Sequence, residues 1–164
     1  MFDSVVRTLA LLVAAPLLVL CASTPAAADD VETAPVPAPA LTAEVVAMTN
    51  QQRIAYGCGQ LEVDQNLIVA SERQSWYMAF THNFSHFGWG GSTFQARARV
   101  AGYQQAAGEN IAWGYPTAQE VMDAWMASPG HRANILNCAM RSVGAGVTYS
   151  SDGTPYYTQV FGLA

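Results

Sequence analysis

The segment Val143-Gly-Ala-Gly-Val-Thr-Tyr149-Ser-Ser-Asp-Gly-Thr-Pro155-Tyr-Tyr-Thr-Gln-Val-Phe161 decides the fold class. Val143 to Tyr149 and Tyr156 to Phe161 are rich in Val, Tyr and Thr, which suit a pleated surface, and Ser151-Asp-Gly-Thr154 between them reads as a hairpin turn. An antiparallel pair is therefore expected at the carboxyl end. A further strand is expected around Glu109 to Ala112.

Upstream of the hairpin the period becomes helical. Thr42 is placed to cap a helix running to about Tyr56, which the Gly57-Cys58-Gly59 cluster would end. Asp64 is placed to cap a second, in which Leu67, Ala70, Ser71, Gln74 and Met78 share one small or apolar face. Thr93 to Ala101, closed by Gly102, fits a short third helix. Thr117-Ala-Gln-Glu120 has the form of a capping box ahead of Val121 and Trp125, and Ser128-Pro129 places a cap and a first-turn proline before Gly130-His131-Arg132. Helices first and a hairpin last predict an α+β fold with helices covering a small sheet.

The amino end reads as an export signal. Arg7 precedes an apolar run from Leu9 to Leu20, and Ala26-Ala27-Ala28 stands ahead of Asp29-Asp30. Residues 1–28 are therefore expected to be a cleaved leader, and the mature protein to be secreted, either extracellular or in the cell envelope. A retained membrane anchor is the alternative, but a bilayer core needs ~20 apolar residues and this run is broken by Pro16. Attachment of lipid at Cys21 is a third reading, against which the bulk of Leu20 argues. Residues 29–40, with Pro35, Pro37 and Pro39, read as a stiff linker, and residues 41–164 as one domain. No later stretch is long and apolar enough to span a bilayer, so no transmembrane segment is expected after cleavage.

Charge excludes one class of partner. The net charge is -5, lysine is absent, and the arginines are scattered, whereas nucleic-acid binding needs clustered positive charge. Loss of Cys21 with the leader leaves Cys58 and Cys138. In an oxidising compartment such a pair forms a disulfide; two buried thiols are the alternative.

Three histidines carry the chemical possibilities. His82 lies beside a predicted helix end and reads as a surface or capping residue. His86 in Phe84-Ser-His-Phe87, His131 in Ser128-Pro-Gly-His-Arg, and Glu109 in Gly108-Glu-Asn-Ile-Ala112 would make a competent divalent-metal set if the fold brought them together, which spacing alone does not establish. Glu109 could instead hold its own loop by accepting backbone hydrogen bonds. Trp76, Trp89, Trp113 and Trp125 read as core or cleft wall, and Gly88-Trp-Gly-Gly91 as a flexible loop.

The ordered segments Phe84-Ser-His86, Ala107-Gly-Glu-Asn-Ile-Ala112, Ala124-Trp-Met-Ala-Ser-Pro-Gly-His-Arg-Ala-Asn-Ile-Leu136, Val143-Gly-Ala-Gly-Val147 and Tyr157-Thr-Gln-Val-Phe161 resemble the bacterial branch of the CAP superfamily, also called SCP-like extracellular domains. The resemblance covers about Leu41 to Gly162. It implies a three-layer α-β-α sandwich and a cleft in which two histidines and two glutamates meet. His86, Glu109 and His131 match three of those positions. The family's second glutamate follows the tryptophan of the fourth helix, but Trp125 to His131 contains no acid here, and Ser128 offers only a hydroxyl for cleft support.

Two readings of function follow. In the first, a non-catalytic secreted module binds a small ligand, lipid or envelope partner in or near a metal-capable cleft, with Zn²⁺ the metal best suited to two imidazoles. Without metal, Glu109 would pair with either protonated histidine and raise its pKa. In the second, a metal-activated water at His86 and His131, with Glu109 as ligand or base, hydrolyses peptide or cell-envelope material.

Overall fold

The computed structural model describes residues 36–163; the expected leader, Cys21 and the first part of the linker lie outside them. The elements run α1 Ala38–Ala55, β1 Glu62–Val63, α2 Gln65–Thr81, a 3-10 turn Trp89–Gly91, α3 Phe94–Ala101, β2 Ala106–Trp113, α4 Ala118–Ala127, α5 Pro129–Ile135, β3 Ser142–Tyr149 and β4 Pro155–Gly162. The strands form one sheet in the order β1-β3-β4-β2. β3–β4 and β4–β2 are antiparallel, whereas β1 joins β3 in parallel over Glu62↔Ser142 and Val63↔Val143. At two residues β1 is too short for alternation to betray it in the sequence.

The sheet is covered on both faces, which gives the expected three-layer α-β-α sandwich. Alternation along the strands assigns the faces. Val143, Ala145, Tyr157 and Phe161 pack with Leu41 and Val45 of α1, Val121 and Trp125 of α4, and Ile135 of α5. Val160 packs on the other side with Leu67 and Ala70 of α2 and Ala98 of α3, and Ile111 and Tyr156 with Met78 and Ala79 of α2.

Helix α2 sits directly on the backbone of β3. A Cβ added at Gly144 would land on the backbone of Leu67 and Ile68, and one added at Gly146 would lie 2.6 Å from the Glu72 nitrogen. Two serines on the inner face of α2 complete the contact, Ser71 Oγ donating to the Gly144 carbonyl at 2.9 Å and Ser75 Oγ to the Gly146 carbonyl at 2.7 Å. The small face expected from Ala70, Ser71 and Gln74 is thus fitted to bare backbone.

The opposite edge of the sheet is protected by side chains. Asn134 Nδ2 donates to the Glu109 carbonyl at 3.1 Å, and Trp125 Nε1 to the Ile111 carbonyl at 3.2 Å, so α4 and α5 occupy acceptors that an edge strand would otherwise offer to another chain.

Most starts and stops follow the sequence. Asp64 accepts from the Asn66 and Leu67 amides, Thr93 from Ala96 and Thr117 from Glu120, and Gly102 closes α3 with φ +110°. Two expectations are corrected. α1 starts at Ala38 behind Pro37 rather than at Thr42, whose hydroxyl donates back to the Ala38 carbonyl from inside the helix. Proline suits the first positions of a helix because its missing N–H has no partner there. The last three residues assigned to the linker therefore belong to α1. Ser128 stands at the start of α5, but its hydroxyl makes no capping hydrogen bond.

Cys58 and Cys138 form a disulfide across a sequence separation of 80. Beside it Arg53 is fully buried and faces carbonyls only. Its Nε donates to Gly59 O, Nη1 to Ile135 O and Asn137 O, and Nη2 to Met140 O, at 2.8–3.1 Å. Burial, and secondarily the Arg141 charge, lower its pKa from the ordinary guanidinium value.

The α2–β3 contact predicts a sharp contrast between glycines. Gly144→Val should cost about 3 kcal/mol or more, because the obstructing atoms are helix backbone. Gly59→Ala, where a Cβ meets nothing within 4 Å, should stay within about 0.5 kcal/mol of the parent. Urea unfolding of the two variants measures the difference.

Candidate functional site

Glu109 is the residue around which the site is built. Alternation along β2 turns Glu109 and Ile111 toward the α2/α3 layer and Asn110 and Ala112 toward α1, α4 and α5. The Glu109 side chain is 1% exposed, and both its oxygens are engaged. Arg97 Nη2 of α3 donates to Oε2, and Oε1 lies 2.8 Å from His86 Nδ1.

Arg97 also holds the loop that carries His86. Its Nη1 donates to the Ser92 carbonyl at 2.7 Å and to the His86 carbonyl at 3.3 Å, while Gln74 Nε2 of α2 donates to the Ser85 carbonyl. The loop leaves α2 through His82, which adopts φ +54°, so this histidine is the helix terminator the sequence suggested. His86 itself is half exposed, its side chain at 52%. Glu109 is therefore a buried anion with one buried cationic partner and one partner at the solvent boundary.

His131 reaches the same region from α5 without touching Glu109. Asn110 Nδ2 donates to the His131 carbonyl at 3.2 Å, and Asn134 Nδ2 donates to Asn110 Oδ1 at 2.9 Å, which docks α5 on β2. Two neighbouring hollows result. His86, Glu109, Phe87, Phe94 and Asn134 line one of 330 Å³; His131, Ser128, Trp125, Trp113, Tyr115 and Phe84 line the other, of 290 Å³. The His131 ring lies 6.4 Å from the Trp125 ring, centroid to centroid. Burial, and then the His86 charge, lower the His131 pKa below its ordinary 6.5, the reverse of the rise expected for a histidine paired with Glu109.

The Glu109 carboxylate is bound to a guanidinium, a permanent positive charge that an added cation would have to face, and among the described residues no group of three His, Cys, Asp or Glu side chains is arranged to hold a metal. Ser128 lines the hollow beside His131, so it contributes a hydroxyl to that wall.

Sequence reasoning missed Arg97, Asn110 and Asn134. Arg97 carried a readable signal: it falls three residues after Phe94 and next to Ala98, on the inner stripe of α3, where a charge needs a buried partner. The asparagines carried no comparable signal, since their role is to tie two elements whose meeting only the fold defines. The tryptophans also divide. Trp125 is core at 1% exposure, but Trp76, Trp89 and Trp113 are half exposed.

Two outcomes are expected from this geometry. Arg97→Met should destabilise by about 3–5 kcal/mol because it strands a buried carboxylate, and adding Glu109→Leu should recover most of the loss. Chemical unfolding of both variants checks the cycle. His131, with its depressed folded pKa, binds fewer protons than in the unfolded chain at pH values below 6.5. Its contribution to stability is therefore lost as pH falls below about 6.5. His131→Gln should make the melting temperature fall less steeply between about pH 7.5 and pH 5.

Comparison with known proteins places the chain in a family and agrees with the fold. The sequence model of the cysteine-rich secretory protein (CAP) family matches residues 46–161. The chain is 35% identical over 142 residues to the uncharacterized protein YkwD of Bacillus subtilis (strain 168), covering 84% of this chain and 54% of that protein. It is 32% identical over 120 residues to the uncharacterized membrane protein YlbC of the same organism, covering 72% of this chain and 33% of that protein. The chain thus spans about half or less of these curated relatives. An extracellular SCP-domain protein of Bacillus anthracis superposes with TM-score 0.70 at 26% identity, over 77% of this chain and 41% of that one. A cysteine-rich secretory protein of Staphylococcus aureus superposes with TM-score 0.65 at 18% identity, over 82% and 40%, and shows the fold alone. With its family match across residues 46–161, the 35% identity to a curated relative and its sandwich fold, the chain belongs to the cysteine-rich secretory protein family.

Proposed function

We propose that this chain is an exported, non-catalytic binding domain whose cleft, between the hollows of His86 and His131, takes a small ligand, lipid or envelope component. The observation that carries the reading is the state of Glu109. A general base or metal ligand needs a lone pair open to water or an ion, and here the carboxylate is 1% exposed with Arg97 on one oxygen and His86 on the other. A carboxylate so engaged positions the loop around His86 rather than activating water.

The hollow beside His131 supports recognition. Its walls are Phe84, Trp113, Tyr115 and Trp125, and its polar groups are the imidazole and the Ser128 hydroxyl. Apolar walls with few, convergent polar groups are the ordinary composition of a small-ligand site. Export rests on the residues 1–28 leader pattern and the disulfide, with residues 29–37 as the link to the domain, and fits the extracellular character of the Bacillus anthracis relative. No helix among the described residues is long and apolar enough to cross a membrane.

The expected outcome is a rise in melting temperature of the mature chain with one class from a panel of lipid extracts and envelope fragments, since a ligand selective for the native state must stabilise it. Trp113→Ala and His131→Ala should each abolish the rise, and added zinc should leave it unchanged. A flat response across the panel would overturn the reading. So would zinc-dependent cleavage of a peptide or envelope library that Glu109→Gln eliminates.

A further inference from the structure

Helix α2 keeps Ser71, Ser75 and Met78 buried against the sheet, so the opposite stripe faces away from the domain. That stripe carries Arg73, Trp76 and Phe80. Trp76 and Phe80 are 50% and 65% exposed and stack at 5.2 Å. Trp89, 53% exposed, completes a group of three rings, 6.0 Å from Trp76 and 6.3 Å from Phe80. Val100 of α3, 74% exposed, shares a slot of 420 Å³ with both tryptophans. Large apolar side chains gathered at the surface in this way mark contact sites.

The exposed fixed charges beside the rings are cationic. Arg73 lines the slot, and Arg99 stands on the exposed side of α3, one helical turn after the lining residue Ala96. Neither arginine is in an ion pair among the described residues. From Arg73 to Gln119 the sequence holds a single acid, Glu109, whose carboxylate is buried against Arg97 and His86. Glu72 lines a groove on the other flank of α2 with Ala145 and Val147, and Asp152 is engaged within its own hairpin turn by Ser150 and the Thr154 amide. A chain of net charge -5 thus presents uncompensated cations next to its exposed indoles.

We infer that this face docks on a bilayer surface bearing anionic lipid headgroups. Aromatic rings settle at the boundary between headgroups and acyl chains, where Val100 is buried with them. Arg73 and Arg99 lay their apolar stems along the same boundary and keep their guanidinium groups at the level of the phosphates. The mixture of groups selects this occupant. A soluble polyanion would engage the arginines and leave the rings in water. A neutral glycan would stack on the indoles and give Phe80 and Val100 nothing to bury in. A second copy in a two-fold pairing would bring its own Arg73 and Arg99 to the same face, like charge against like. The slot shares no lining residue with the His131 hollow, so the docking face stands apart from the binding reading and either can fail without the other.

The test is co-sedimentation of the mature chain with vesicles of equal parts phosphatidylglycerol and phosphatidylcholine, beside vesicles of phosphatidylcholine alone, with tryptophan emission recorded on the same samples. The anionic vesicles should bind at least about tenfold more tightly, as two arginines near a charged surface allow. Binding should shift the emission to the blue and weaken with added salt. The double variant Trp76→Ala, Trp89→Ala, whose folding is verified by circular dichroism, should bind the anionic vesicles at least about tenfold less tightly. Arg73→Gln with Arg99→Gln should reduce the anionic vesicles to the level of the neutral ones, and His131→Ala should bind as the parent does. Absence of binding to the anionic vesicles, equal binding to the neutral ones, full binding in the tryptophan double variant, loss of binding in His131→Ala, or a dimer in solution that the tryptophan changes abolish would overturn the assignment.

Discussion

The bare backbone of β3 under α2 is the constraint on which the arrangement rests. Because Gly144 and Gly146 carry no side chains, a helix can lie on the strand at backbone distance, and Ser71 and Ser75 replace apolar packing with hydrogen bonds to strand carbonyls. That seat fixes the height of α2 over the sheet. Everything at its carboxyl end inherits the position: Gln74, the His82 turn, and the loop that carries His86. The site is therefore set by the absence of two side chains in a strand that contributes nothing to it directly.

Around Glu109 the protein has settled an electrostatic problem internally. A buried carboxylate needs compensation, and Arg97 supplies it with a charge that does not depend on pH. His86 takes the remaining oxygen from the solvent side. The same guanidinium holds the loop by two carbonyls, so charge neutralisation and loop placement are one interaction. On either side lie an aromatic hollow around His131 and the exposed indoles of Trp76 and Trp89.

Much of this was legible where the physics is local. Asp64, Thr93, Thr117 and Gly102 declare helix ends because capping involves residues within one turn, and Ser151 to Thr154 declares a hairpin for the same reason. Proximity of His86 and Glu109 was suggested only by the ordered family motifs, since 23 residues separate them. The start of α1 was obscured because Pro37 and Pro39 look the same in a linker and in a first helical turn. Exposure of Trp76 and Trp89 was not legible: bulk and apolarity are properties of the residue, but burial is decided by what lies opposite, and among the described residues nothing covers their outer halves.

Arg53 bears on how the two ends of the domain are joined. Its guanidinium gathers carbonyls from residue 59 and from residues 135, 137 and 140, the same two stretches that Cys58 and Cys138 link covalently. One chain ring is thus closed twice, once by a bond that depends on the redox state of its surroundings and once by hydrogen bonds that do not. The covalent closure acts on a geometry already specified by an uncompensated charge seeking carbonyl dipoles. In a reducing medium the thiols would still be held as neighbours, so the domain carries its own template for oxidation.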